Sequence, residues 1–543
     1  MRPTLKSIIL TAIFIITFSA FSQQSVKEED YSITYHQDSI SLLFNQPVAL
    51  KAFASGIPQK ITVTESGTKP SASAAFRLNT VPAEIIKLEY QYLFGNDHAT
   101  HYTYLATPSL STGTIEVYFN HPVDVSYAQI QNAVNLSAAL DDKLINYINL
   151  CQSTLDIAIY NSYSQGSTSG IAGAINAAFN RGVQVRVIFD GSTSSAMIPL
   201  LNANIPVLAS PTDIEYGIMH NKFVIFDAHS SDANRPYVWT GSTNWTSSQI
   251  NGPDRNSAII LQDQALALGY TIEFEEMWGS NTMTSNAALS RFGFNKTDNT
   301  PHTYNIGGKI VNSYFSPSDG TNAKILSAIN SADSDIDIAT MLITRTSISN
   351  TILSRFNSGL TNINIVVDSQ NVSGNQIGTL QASLSPNHAV QYSGSGIMHH
   401  KFMVVDNFDH ASDPQVVVGS HNWSSSAETK NDENTLIVHD ANVTNQYYQA
   451  FAWLYTQAAG TLSVPQQQST ATVTVYPNPA KDHIIVSGVD LVGVVEFYTM
   501  SGAKIYSTAF SGITQIPICL ASGMYLVKIT SLSTSVVKKL IVD

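Results

Sequence analysis

The stretch GIMHNKFVIFD at residues 217–227 recurs as GIMHHKFMVVD at 396–406, so His220, Lys222 and Asp227 are matched by His399, Lys401 and Asp406 at an offset of 179. A long internal repeat constrains the fold more than any local propensity, because both copies must form the same unit. The echo extends downstream. GSTNW at 241–245 answers GSHNW at 419–423, and Asn256 in DRNSAII answers Asn434 in DENTLIV, both at an offset of 178. Upstream, LDIAIYNSY at 155–163 and IDIATMLIT at 336–344 read as buried strands. Ile171, Ile175 and Phe179 recur as Ile348, Ile352 and Phe356, the four-residue spacing of one helix face. The β-branched runs VQVRVIFD and INIVVD then end at Asp190 and Asp368. Strand, helix, strand is a βαβ unit, present once in each half. Two such units related by a pseudo-twofold axis would bring the two motif loops to one cleft, so that two copies make one site.

The motif rides on a strand, and alternation places His399 and Lys401 on one face. Two imidazoles and two ammonium groups converging on one point suit the cleavage of a phosphodiester. Lys222 and Lys401 would stabilise the charge that spreads over the phosphoryl oxygens. One imidazole would attack phosphorus while the other protonates the leaving oxygen, a route that needs no metal and no cofactor. Ser242, Asn244, Ser420 and Asn422 are expected to complete the phosphate pocket with hydroxyl and amide donors.

The paired H-x-K-x-x-x-x-D motifs with their trailing G-S-x-N resemble the phospholipase D superfamily over roughly residues 110–455. The resemblance implies an α/β fold of two pseudo-twofold-related α/β/α units. It makes His220, Lys222, Asp227, His399, Lys401 and Asp406 the motif residues, with His220 as nucleophile, Asp227 and Asp406 orienting the motif loops, and Asn244 and Asn422 assisting. The family often carries an acidic residue after the Asn motif that hydrogen-bonds a catalytic histidine. Glu433 fits, whereas the same column of the first half holds Arg255, with Asp254 as a substitute. His36, His98, His101 and His229 read as surface residues, and Trp245 and Trp423 as packing residues.

The flanking segments address export. Arg2 and Lys6 precede the apolar run IILTAIFIITF and the small residues Ala20 and Ser22, the pattern of a signal peptide over residues 1–22. The run is shorter than the roughly 20 residues that cross a bilayer, and no other stretch of the mature chain reads as a span. Short alternating runs then suggest a small antiparallel β domain of unknown role at 23–108. The repeated halves are expected at 109–290 and 300–460, followed by a polar linker at 461–471. YPNP at 476–479, SGAKIY at 501–506, GMYLVKI at 523–529 and Lys538–Lys539 resemble the C-terminal sorting domain of type IX secretion, a β-sandwich over 472–543. That resemblance implies the type IX machinery as a partner and a secreted or cell-surface location reached through the periplasm. Cys151 and Cys519 fall in different domains and are expected to be free.

Motif and fold constrain the reaction more tightly than the substrate. A formal net charge of −13 argues against a surface built to grip nucleic acid. A hydrolase that cuts a phospholipid to phosphatidic acid and a head-group alcohol is the leading reading. SSSAETKNDENTLIV resembles the equivalent stretch of small nucleases of the superfamily, which keeps a metal-independent endonuclease as the alternative. A third reading is a catalytically silent protein that binds an anionic ligand, supported by Arg255. The chain is read as a monomer.

Overall fold

The computed structural model describes residues 25–27, 31–36, 39–54, 57–65, 73–94, 97, 99–163, 168–370, 372–384, 388–458, 474–487, 492–499, 504–511, 514–531 and 535–542. The expected signal peptide, His98 and the expected linker lie outside them.

Runs of β-branched residues bounded by turns form strands buried on both faces, and such sheets need helices on each side. In the first half eight strands lie in the order Val134–Asn135, Ile115–Phe119, Ser257–Leu261, Tyr237–Gly241, Lys222–Phe226, Thr154–Ile159, Gln184–Phe189, Val207–Ala209. The second half repeats that order with Thr303–Ile306, Lys309–Ser316, Glu433–His439, Gln415–Gly419, Lys401–Val405, Ile336–Thr340, Ile363–Asp368, Ala389–Tyr392. Only the edge differs, since Val134–Asn135 runs parallel to its neighbour and Thr303–Ile306 antiparallel. The expected βαβ units are present. Thr154–Ile159 pairs in parallel with Gln184–Phe189 across helix Gly170–Asn180, and Ile336–Thr340 with Ile363–Asp368 across helix Thr346–Asn357. Ile171, Ile175, Ile348 and Ile352 are buried as their spacing predicts, while Phe179 and Phe356 pack at the core margins.

Each sheet has an outer core of its own beneath these helices. Between the sheets lies a third core, built around helices Gln264–Trp278 and Ala441–Gln457 and shared by both halves. Tyr270 meets Phe223 and Phe315 edge-on, and Tyr447 meets Phe119 and Phe402 likewise. Aromatic side chains bury large areas, and interlocking them across the seam fixes how the halves sit. The motif strands Lys222–Phe226 and Lys401–Val405 lie centrally in their sheets, where every residue is buried.

The N-terminal region is a small β unit of a five-stranded and a four-stranded sheet, all paired antiparallel, enclosing Ile40, Leu42, Phe44 and Leu88. The C-terminal region is a sandwich of a three-stranded and a four-stranded sheet around Ile484, Val495, Phe497, Val527 and Leu540. Both cysteines are free, Cys151 buried and Cys519 exposed. Among the described residues no helix is long and apolar enough to cross a membrane.

Candidate active site

Each motif histidine is delivered to the seam by backbone from the opposite half. Met219 forms a parallel bridge with Asp432, and Arg255 with Met398. The His220 N–H donates to the Asp432 carbonyl at 2.9 Å, and the His399 N–H to the Arg255 carbonyl at 2.9 Å. The aspartates that end the β-branched runs hold the preceding residue: Asp190 accepts from the Met219 N–H at 2.8 Å and Asp368 from the Met398 N–H at 2.7 Å. Neither half forms its site without the other.

The side-chain partners of the two imidazoles differ. His220 Nδ1 lies 2.7 Å from Glu433 Oε2, and the Ser420 hydroxyl donates to the same oxygen at 2.7 Å. His399 Nδ1 lies 3.0 Å from Asn256 Oδ1 and 3.1 Å from the Ser242 carbonyl, and the Ser242 hydroxyl donates to Asn256 Oδ1 at 2.9 Å. Facing acceptors only, each Nδ1 carries the proton and leaves Nε2 with its lone pair.

These contacts correct the register read from the sequence. Gly241 pairs with Ala258 and Gly419 with Thr435, so the offset falls from 178 to 177 and Asn256, not Arg255, is the counterpart of Glu433. Arg255 matches Asp432 and points away from the histidines: its guanidinium lies 5.6 Å over Trp453 and its Nε donates to the Tyr392 hydroxyl at 3.0 Å. Asp254 does not substitute for a histidine partner, because its carboxylate accepts from the Ile397 N–H at 2.8 Å. Ser242 and Ser420 are likewise corrected. Their hydroxyls are spent on Asn256 and Glu433, behind the imidazoles, instead of pointing at a phosphate.

Lys222 and Lys401 are buried, and each Nζ donates back to the carbonyl of its motif histidine, at 2.7 and 2.6 Å. Burial pulls the Lys222 ammonium down to about 7 against the raising effect of Glu433 and Asp190. Burial together with the charge of Lys222 holds Lys401 well below the usual range. Burial and both ammonium groups hold His220 and His399 well below an ordinary imidazole, so both are neutral at pH 7. Groups that depress one another in this way sit close together in a water-poor pocket, and a bound anion would favour their protonated forms. Asn244 and Asn422 each keep a side-chain carbonyl oxygen with no intramolecular partner.

Asp227 and Asp406 lie at the far end of the motif strands, which excludes them from the reacting group. Both have left-handed φ, 52° and 56°. The Asp227 carboxylate accepts from the N–H groups of Gln152, Ser153 and Thr154, and that of Asp406 from Asp333, Ser334 and Asp335. They cap the turns before Thr154–Ile159 and Ile336–Thr340, whereas the motif loops they were expected to orient lie at the other end of the strands.

Three site residues escaped the sequence reading. Asn256 was misaligned by one. Tyr160 lies edge-on to His220 at 4.8 Å with Lys222 5.1 Å over its ring, and only the position after a buried strand could have flagged it. His421, the middle residue of GSHNW, is buried with its Nδ1 2.9 Å from the Ser316 hydroxyl, close enough for His220 and Glu433 to act on its charge. His400, the second histidine of MHHKF, turns to the other side of its strand and meets His121, Nε2 to Nε2 at 2.7 Å. His121 Nδ1 faces the Pro122 carbonyl, so the shared proton belongs to His400. Trp245 and Trp423 are buried, as expected of packing residues.

A family model described as cardiolipin synthase, PLD-like domain, matches residues 144–278 and 325–455, and one described as secretion system C-terminal sorting domain matches residues 474–543. Mitochondrial cardiolipin hydrolase of Drosophila melanogaster is 30% identical over 164 residues, 27% of this chain and 62% of the relative. The Xenopus tropicalis protein of that name is 30% identical over 140 residues, 25% of this chain and 60% of the relative. The chain thus spans about three-fifths of the length of these relatives. Among solved structures, Nuc from Salmonella typhimurium, a phospholipase D family member, is 24% identical with a TM-score of 0.24, covering 28% of this chain and 98% of its own. Phosphatidylserine synthase from Haemophilus influenzae is 13% identical with a TM-score of 0.41, covering 62% of this chain and 87% of its own.

Proposed function

Since the chain carries a phospholipase D-like domain in two halves and a C-terminal type IX sorting domain, and so is a secreted or cell-surface protein, we propose that it is a phosphodiesterase that cuts a phospholipid to phosphatidic acid and a head-group alcohol. At the family level the comparisons support a phosphodiesterase-type hydrolase. The observation that carries the mechanism is the unequal pair: His220 on a carboxylate, His399 on an amide.

His220 is the nucleophile. Its neutral Nε2 attacks phosphorus while the proton stays on Nδ1, hydrogen-bonded to the Glu433 carboxylate, whose charge stabilises the cationic phosphohistidine. His399, which has no carboxylate, is the weaker base and hence the better acid: the phosphodiester anion favours uptake of a proton from solvent on its Nε2, and that proton passes to the leaving oxygen as the P–O bond breaks. Water then attacks phosphorus and gives a proton to His399, the N–P bond breaks, and His220 is regenerated. Lys222 and Lys401 hold the phosphoryl oxygens, and the anion they receive restores the proton affinity that burial takes from them.

The lipid reading is supported by the family description, by the names of the curated relatives and by the acidic net charge. A metal-independent endonuclease is the competing outcome. The silent-binding reading loses its support, because Arg255 faces Trp453 and Tyr392 and not the site. The deciding assay presents the protein, with chelator, to phosphatidylcholine vesicles and to supercoiled plasmid, beside His220→Asn and His399→Asn. Choline release abolished in both variants is expected. Plasmid nicking without choline release would sink the lipid assignment, and turnover by the His220→Asn variant would sink the paired-histidine mechanism.

A further inference from the structure

The segment joining the halves carries a lysine that the mechanism above does not use. Lys296 is buried, its ammonium paired with the Glu273 carboxylate on the inner helix Gln264–Trp278. It also donates to the Ser316 carbonyl at 2.9 Å and lies 3.9 Å from Asp432 Oδ1. The same Asp432 oxygen accepts from the Gly293 N–H at 2.8 Å, so the joining segment grips Asp432 twice. Asp432 in turn is woven into the site. Its N–H donates to the Ile218 carbonyl at 3.0 Å, its carbonyl accepts from the His220 N–H, and the next residue is Glu433.

The arrangement is specific to one half. Arg255 stands where Asp432 stands in the second copy, and among the described residues no buried lysine anchors it behind Asn256 and His399: Arg255 rests on Trp453. A buried cation facing two carboxylates is costly unless its geometry is used, and breaking it by removing one partner leaves an uncompensated buried charge. Burial pushes Glu273 up to about 8 and Asp432 up to about 7, with Lys296 opposing both shifts, so losing Lys296 would drive Asp432 further toward its neutral form.

We propose that Lys296 is a positioning residue for the nucleophile: anchored on Glu273 and the Ser316 carbonyl, it holds Asp432 so that Glu433 meets His220 Nδ1. The proposal rests on the reading of His220 and Glu433 as the reacting pair. Misplacing that pair by about 1 Å would cost as much as a hundredfold in rate without touching the phosphate-binding lysines. Lys296 therefore acts on kcat and leaves KM alone.

The test measures hydrolysis of bis(4-nitrophenyl) phosphate by the full chain, with melting temperature recorded in parallel. Lys296→Met is expected to lower kcat by about tenfold or more with KM within about twofold. Adding Asp432→Asn is expected to restore most of kcat, because asparagine still accepts from Gly293 N–H and needs no cation. A general packing role would predict no such recovery, so a double variant as slow as Lys296→Met overturns the proposal, as does an unchanged kcat in the single variant. If Lys296→Met does not fold, Asp432→Ala serves: it leaves the Lys296–Glu273 pair intact, and an undiminished kcat in it counts against the tether. Turnover by His220→Asn would instead strike at the reacting pair itself, which keeps the two failures apart.

Discussion

An imidazole held on a carboxylate and one held on an amide are unequal bases, and that difference is the most testable property of the site. Asn256→Asp would give His399 an anionic partner about 3 Å away, which raises an imidazole pKa by about 1–3 units. The alkaline limb of the kcat profile, set by protonated His399, is expected to move to higher pH by about one unit or more. An unmoved limb would reverse the assignment of acid and nucleophile. Lys222 offers a second test. Its folded value of about 7 lies below the ordinary 10.5, so from pH 10.5 down to 7 the unfolded chain binds a proton that the folded chain does not. Stability contributed by this group is therefore lost as pH falls through that window, at about 1 kcal/mol per unit. Glu273 opposes it, its raised value making the fold less stable as pH rises toward 8. Subtracting the profile of Lys222→Met isolates the lysine: in calorimetry from pH 7 to 10 the variant should gain less stability with pH than the parent, and inorganic phosphate should flatten the parent's slope toward that of the variant.

At the scale of elements, the motif strands are pinned at both ends. Asp227 holds the turn before Thr154–Ile159 through three backbone N–H groups, so Asp227→Ala is expected to cost about 2–3 kcal/mol by removing hydrogen bonds to a charged acceptor. The loss should appear as a lower denaturation midpoint with KM little changed; an intact midpoint with lost activity would return Asp227 to the chemistry. Gly241 shows why the trailing motif begins with glycine: its φ is 147°, and a Cβ there would sit 2.3 Å from the Ser257 carbonyl oxygen. The βαβ units were legible because burial and period coincide in Ile171, Ile175, Ile348 and Ile352. The partner of His399 was not. The span from Gly241 to Asn256 is one residue longer than that from Gly419 to Glu433, and matching Asn256 to Asn434 by identity hid the insertion that the strand pairing shows. Nor could sequence tell that each histidine takes its partner from the opposite half.

At the scale of the molecule, the two halves are one packing unit that builds one site, while the C-terminal sandwich has a core of its own. The halves share a core through Tyr270, Phe315, Phe402 and Tyr447, and Glu433 must cross the seam to reach His220. Either half alone would expose that core and hold a histidine without its partner. The C-terminal sandwich instead closes its own core around Phe497, Val527 and Leu540, with its strands paired among themselves. A chain ending at residue 458 removes none of the site contacts and none of the shared core. It is expected to keep kcat within about twofold of the full chain and a melting temperature within a few degrees, as separable domains do. In cells that use type IX secretion, the same truncation should accumulate in the periplasm instead of leaving the cell. Activity lost from the purified truncation would mean that the tail supports the site. Export of the truncated chain at the normal rate would mean that residues 474–543 are not its address.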